Sequence, residues 1–158
     1  MSVDKNLIIQ KLQTNRDALL SFLQSLDETE WETAVQSEDA EWAISDIVRH
    51  LVNAEKGMTG LIVQFQQGKD PVPPDFDRER YNKRIVEKTK DLTPVQLMEA
   101  MVENRTKLLA VIETLNEEDW QKKGRHASLN IYTVEEVCHI IADHEALHLA
   151  DIKKAIEA

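Results

Sequence analysis

Glycine and proline are scarce in this chain, four of each in 158 residues, and three of the prolines stand together at Pro71, Pro73 and Pro74. So little punctuation disfavours a fold of short strands and tight turns and favours long helices. Cysteine is nearly absent. Cys138 alone cannot close an intramolecular disulfide, which excludes a stapled secreted scaffold and fits a reducing, cytoplasmic setting. The opening residues Met1–Asn6 lack the basic start and apolar run of a signal peptide. No stretch reaches the roughly 18 apolar residues that a membrane span needs. Positive charge is in deficit, with 19 Lys+Arg against 29 Asp+Glu for a net charge of −10. No basic run exceeds Lys122-Lys123, so no nucleic-acid partner is expected. Extended strand-like alternation, internal repeats and low-complexity tracts are not evident.

What is present is a globular composition, 42% hydrophobic and 30% charged, long enough for one domain over residues 1–158. Apolar residues recur at three- and four-residue spacing. The first helix should start after Ser2 or Asp4 and turn Leu7, Ile8, Leu12, Leu19, Leu20 and Leu23 inward. An acidic linker, roughly 27–41, follows with Trp31 as its anchor. The second helix is expected from Ile44 or Ser45 to about Gln67, closed by Gly68. Residues 75–91 read as a crossover with a short helix. Thr93-Pro94-Val95-Gln96 and Thr133-Val134-Glu135-Glu136 are capping boxes that open the last two long helices. The fold class is therefore all-α, a four-helix bundle with a longer crossover between helices two and three.

The last helix carries histidines where a bundle places leucines. On a helical wheel Val134, Val137, Ile141 and Ile152 fall within about 40° of His148, and His144 shares that stripe about 6 Å along the axis. His139 lies about 180° away and should face solvent. Two inward imidazoles four residues apart form a metal clamp, because such side chains stack on one helix face. His50, bordering the apolar stripe of helix two, supplies the third ligand. Residues 144–148 also spell His-Glu-Ala-Leu-His, the zinc-protease pattern with Glu145 as general base. The residues after His148 leave no room for a downstream ligand, and no strand is evident against which a peptide could pair, so this reading ranks low.

Glu55, on the inward stripe of helix two, and Glu145 are candidates for acid–base work or for orienting a histidine. Arg49 reads as surface. Gly57, on the face of His50, could leave room for a substrate, and Tyr81 and His126 lie in connections that could reach it. Cys138 reads as a buried, inert thiol.

Four passages resemble the DinB-like superfamily of helical bundles, which includes bacillithiol S-transferase and mycothiol-dependent maleylpyruvate isomerase relatives. They are Trp42-Ala43-Ile44-Ser45-Asp46-Ile47-Val48-Arg49-His50-Leu51, His144-Glu145-Ala146-Leu147-His148-Leu149-Ala150-Asp151-Ile152, and the Leu-x-x-x-x-Trp passages ending at Trp31 and Trp120. The resemblance implies one divalent metal held by His50, His144 and His148, nickel or zinc first and iron or manganese as further candidates. It also implies a homodimer acting on a small molecule.

Three neutral imidazoles leave a coordination position open, as in a catalytic rather than a structural site. A thiol bound there would deprotonate and become a metal-held thiolate. The leading expectation is thus a divalent-metal-dependent enzyme that transfers or adds a low-molecular-weight thiol. The alternatives are a hydrolase using metal-bound hydroxide and a non-catalytic bundle that binds a metal or small molecule.

Overall fold

The computed structural model describes residues 3–158, so the alternative cap Ser2 lies outside the described residues. Helix α1 (Lys5–Gln24) begins at Asp4, whose carboxylate accepts the Leu7 N–H at 3.0 Å. A single 3-10 turn at Trp31 leads into a hairpin of β1 (Ala34–Ser37) and β2 (Ala40–Ala43), and α2 (Ile44–Gln66) follows directly. Gly68, at φ 79°, ends α2: its N–H reaches the Phe65 carbonyl at 2.9 Å and the Lys69 N–H reaches that of Gln64 at 2.8 Å. That pairing requires a left-handed residue, which glycine adopts without strain. The crossover carries α3 (Arg78–Lys88). Helices α4 (Pro94–Thr114) and α5 (Val134–Glu157) open on the two expected capping boxes. Between them lie a 3-10 turn at Trp120 and a hairpin of β3 (Lys123–Arg125) and β4 (Ile131–Thr133). Among the described residues no helix is long and apolar enough to cross a membrane.

The four long helices and the short crossover helix stand as expected, while the connections do not. The stretch 27–41 is an ordered turn and hairpin rather than a plain linker. Its two-residue turn, Glu38-Asp39, has φ of 50° and 63° without the Asn-Gly or Asp-Gly signature such turns usually carry. Leu7 is 59% exposed, because it points about 100° away from its neighbour Ile8, which is the residue of that turn on the buried face of α1. Arg49 is buried instead of exposed: its guanidinium donates to the carbonyls of Thr89, Lys90 and Leu92 at 2.9–3.0 Å. A wheel drawn for α2 alone cannot show that the α3–α4 connection packs there.

The chain also repeats itself. Each half runs long helix, 3-10 turn at a tryptophan, hairpin, long helix; among the described residues only α3 has no counterpart. Ile8, Leu12, Arg16, Leu19 and Leu23 are the buried residues of α1, and at one constant spacing Leu97, Met101, Arg105, Leu108 and Ile112 are buried in α4. Trp31 and Trp120 obey the same spacing. Beyond the longer second hairpin the register lengthens by one residue: Ile44, Ile47, Leu51, Glu55 and Ile62 of α2 match Val134, Val137, Ile141, Glu145 and Ile152 of α5, all buried. Even the backbone bond entering each second helix recurs, Ile44 N–H to Thr33 O and Val134 N–H to Lys122 O. Identical residues are few in this match, so the repeat is carried by burial pattern and element order.

The duplicated halves exchange arginines at the centre. Arg16 donates to the Met101 carbonyl at 2.6 Å, Arg105 donates to the Leu12 carbonyl, and both pair with Glu55 and Glu145. One apolar cluster lies on each side of this network, around Trp31 and around Trp120.

Candidate metal centre

Helix α5 sets His144 and His148 one turn apart on its inner face, and α2 brings His50 opposite them. The His144 Nε2 stands 3.2 Å from the His50 Nε2 and 3.0 Å from the His148 Nε2. A fourth group, Glu38, enters from the tip of the first hairpin, its Oε1 3.2 Å from the His144 Nε2 and 3.6 Å from that of His148. One donor atom from each of the four side chains lies within 4.8 Å of every other. Glu38 sits at positive φ, uncommon for a residue with a Cβ, and such backbone strain concentrates at functional sites.

Hydrogen-bond accounting fixes which nitrogen of His148 faces the centre. The Ser37 hydroxyl lies 2.6 Å from the Asp151 carboxylate and 2.9 Å from the His148 Nδ1. An ionised carboxylate has no proton to give, so the single hydroxyl proton goes to Asp151 and Ser37 accepts from Nδ1–H. The lone pair of His148 is thereby left on Nε2, pointing at His144 and His50. A carboxylate-backed imidazole is the usual support of a metal-ligating histidine.

Electrostatics favour the same state. Burial, reinforced by His144 and His148, lowers the His50 pKa to about 4, and burial together with His144 lowers that of His148 to about 4. Both rings are neutral near pH 7. The hydrogen bond to His144, with the charges of the three rings adding to it, holds the Glu38 carboxyl down to about 2. Three imidazole nitrogens and one ionised carboxylate form a donor set suited to zinc, nickel or a neighbouring divalent ion.

The structure brings His50, His144 and His148 together and sets Glu55 and Glu145 elsewhere. Glu55 accepts from Arg16 at 2.7 Å and from Arg105 at 2.6 Å, and Glu145 accepts from the same two guanidinium groups. Both carboxylates are about as buried as the apolar core, at 3% and 2% exposure. His139 is half-buried beside Lys11, 3.2 Å away and outside the cluster. Sequence reasoning missed Glu38, Ser37 and Asp151. Asp151 lies one turn beyond His148, a spacing that could have suggested it, whereas the hairpin tip gave no local signal.

A cavity of about 420 Å³ opens on the cluster and runs beneath α3. Gly57 lines it, and an added Cβ there would meet nothing within 4 Å. Tyr81 and His126 line it too. The His126 Nδ1 accepts the Ser128 N–H at 3.0 Å, which leaves Nε2–H to donate to the Met58 sulfur at 3.4 Å. Cys138 is fully buried and its thiol is pushed up to about 12 by that burial, so it is inert at neutral pH.

Residues 9–152 match the family described as the DinB superfamily. The chain belongs to that superfamily. No curated protein matches its sequence. Among solved structures it is similar to YfiT from Bacillus subtilis, described as a probable metal-dependent hydrolase with an unusual four-helix bundle topology. That match has a TM-score of 0.80 at 17% identity and covers 97% of this chain and 86% of YfiT. The mycothiol-dependent maleylpyruvate isomerase aligns with a TM-score of 0.79 at 13% identity over 95% of this chain, which spans only 61% of that protein. The colibactin self-resistance protein ClbS, solved with double-stranded DNA, aligns with a TM-score of 0.80 at 17% identity, covering 98% and 96% of the two chains. At these identities the likeness is one of fold.

Proposed function

We propose that this superfamily member holds one divalent metal ion, nickel or zinc, on His50, His144 and His148 with Glu38 beside them, and uses it to transfer or add a low-molecular-weight thiol to a small molecule. The observation that carries the reading is the convergence of three Nε2 atoms at 3.0 and 3.2 Å beside a cavity large enough for a small ligand. When bound, the ion supplies Lewis acidity, which lowers the pKa of a thiol or water that coordinates it.

The chain's own residues prepare the site. Ser37 and Asp151 hold the His148 ring with its lone pair inward. The buried Arg16–Glu55–Arg105–Glu145 network ties α1, α2, α4 and α5 together and contributes to the stability of the bundle that carries the site. In this reading Glu55 and Glu145 stabilise the bundle and touch neither metal nor substrate. Hydrolysis is the second reading, favoured by the place of Glu38: its carboxylate stands 3.2 Å from the His144 Nε2, where it can hydrogen-bond and orient a water at the same centre.

The same reading takes the protein as a cytoplasmic homodimer without a nucleic-acid partner. Its single cysteine and net charge of −10 support the compartment and the lack of a partner. Size-exclusion chromatography and DNA filter binding test the dimer and the partner.

Elemental analysis of protein purified without a histidine tag should find one nickel or zinc per chain. Candidate thiols presented with electrophiles should then give metal-dependent adducts. Turnover with water alone would reverse the order of the two enzymatic readings. Tight metal retention without any turnover would favour a binding protein, and no bound or acquired metal would overturn all three.

A further inference from the structure

We propose that the cavity takes a small, mainly apolar carboxylate, with its charge held by Arg78 and its body filling the half of the cavity that the internal repeat makes the counterpart of the metal centre. The proposal rests on the preceding reading only in taking the histidine cluster as the reactive end.

The repeat equates His144 with Ala54, His148 with Met58, His50 with Ile140, and Ser37 with His126. Ala54, Met58, Ile140 and His126 all line the cavity. Where one half of the molecule presents three ring nitrogens to a centre, the other presents a methyl group, a thioether and a branched alkyl chain. That half lacks the donor set for an ion and instead offers apolar wall and volume. The one element without a counterpart, α3, closes over this half, and its approach adds the rings of Phe76 and Tyr81, 5.5 Å apart. Such a lining suits an apolar or aromatic body.

Arg78, the first residue of α3, lines the same cavity at its mouth. Among the described residues its guanidinium makes no hydrogen bond and no ion pair, whereas Arg16, Arg49 and Arg105 are each fully engaged. His50 and His126, one from each half, line the same cavity as Arg78. The cavity's own carboxylate, Glu38, is turned to the histidines. An unpaired guanidinium at an apolar cavity selects for a ligand that brings one negative charge.

The test uses two probes of equal shape, 4-phenylbutyrate and 4-phenylbutyramide, titrated into the metal-loaded full chain and followed by amide chemical shifts. At about 0.15 M salt, where distant surface charges are screened, the carboxylate should bind about tenfold more tightly than the amide. The shifts should centre on Ala54, Gly57 and Tyr132. Arg78→Met should bring the two affinities level, and Arg78→Lys should keep part of the preference. Ala54→Leu, which fills the apolar half without touching charge, should weaken both probes alike. Metal content should stay unchanged in every variant. Equal affinities in the unaltered protein, no saturable shift with either probe, or a preference that survives Arg78→Met would overturn the proposal; the last result would mean that the ion itself draws the carboxylate. An Arg78-dependent preference in protein that holds no metal would sink the metal reading and leave this one standing.

Discussion

Replacing Glu145 by Gln removes one negative charge from a buried square of two arginines and two glutamates while keeping its shape. The four side chains are 2–4% exposed, and their formal charges balance. The variant leaves Arg16 and Arg105 sharing one carboxylate, with one positive charge buried and uncompensated. Breaking a buried ion pair from one side costs about 3–5 kcal/mol. For a domain of this size each kcal/mol moves the melting temperature by about 2–4 °C, so a fall of about 6–20 °C is expected. A typical total stability of about 5–15 kcal/mol lets the variant fold at room temperature. Because the Glu145 carboxylate is engaged with arginines and makes no contact with the histidines, metal content and turnover per folded molecule should be unchanged. A general base between two metal-ligating histidines would behave in the opposite way, with a near-native melting temperature and a rate loss of about 10²–10⁴. Calorimetry, elemental analysis and steady-state assay of Glu145→Gln separate the two. A stable but inactive variant would refute the structural role given to the network.

Other perturbations address the centre itself. His148→Ala should abolish tight metal binding in a competition titration while His139→Ala leaves it intact, and equal losses would mean that the wrong face was assigned. Ser37→Ala removes the acceptor of the His148 Nδ1–H and should weaken metal binding about 10- to 100-fold with little change in melting temperature; unaltered affinity would show that the ring needs no such support. The metal-free protein should lose stability as pH falls from about 6.5 toward 4. Its unfolded chain takes up protons at the ordinary histidine value, whereas His50 and His148 refuse them until about 4, so the contribution is complete above the upper value and gone below the lower one. For His148 alone this is on the order of 3 kcal/mol, and urea midpoints that stay flat across the window would contradict it. Gly57→Leu projects into open cavity and should weaken substrate binding without unfolding the chain.

The long helices were legible because their signals are local. Thr93 and Thr133 lie three residues from the Gln96 and Glu136 that complete their caps, and a three-to-four-residue apolar rhythm needs no knowledge of the partner helix. His144 and His148 could be aimed inward for the same reason. The hairpins were hidden because strands of three or four residues barely establish an alternation, and Glu38-Asp39 lacks the usual turn residues. The repeat left its clearest trace in Leu26–Trp31 and Leu115–Trp120. Its two-fold character shows in the tertiary structure, where Arg16 and Arg105 each donate to a carbonyl of the other's helix.

Local periodicity in the sequence was thus sufficient for the helices, their caps and the inward face that carries the two α5 histidines. Tertiary structure alone decided that Glu38 joins them, that Glu55 and Glu145 answer to arginines instead, that Arg49 is buried, and that α3 roofs the cavity. Each of these depends on which distant segment arrives opposite a given side chain. A helical wheel fixes direction about one axis, while pairing, burial and the charge a group feels depend on what stands in that direction.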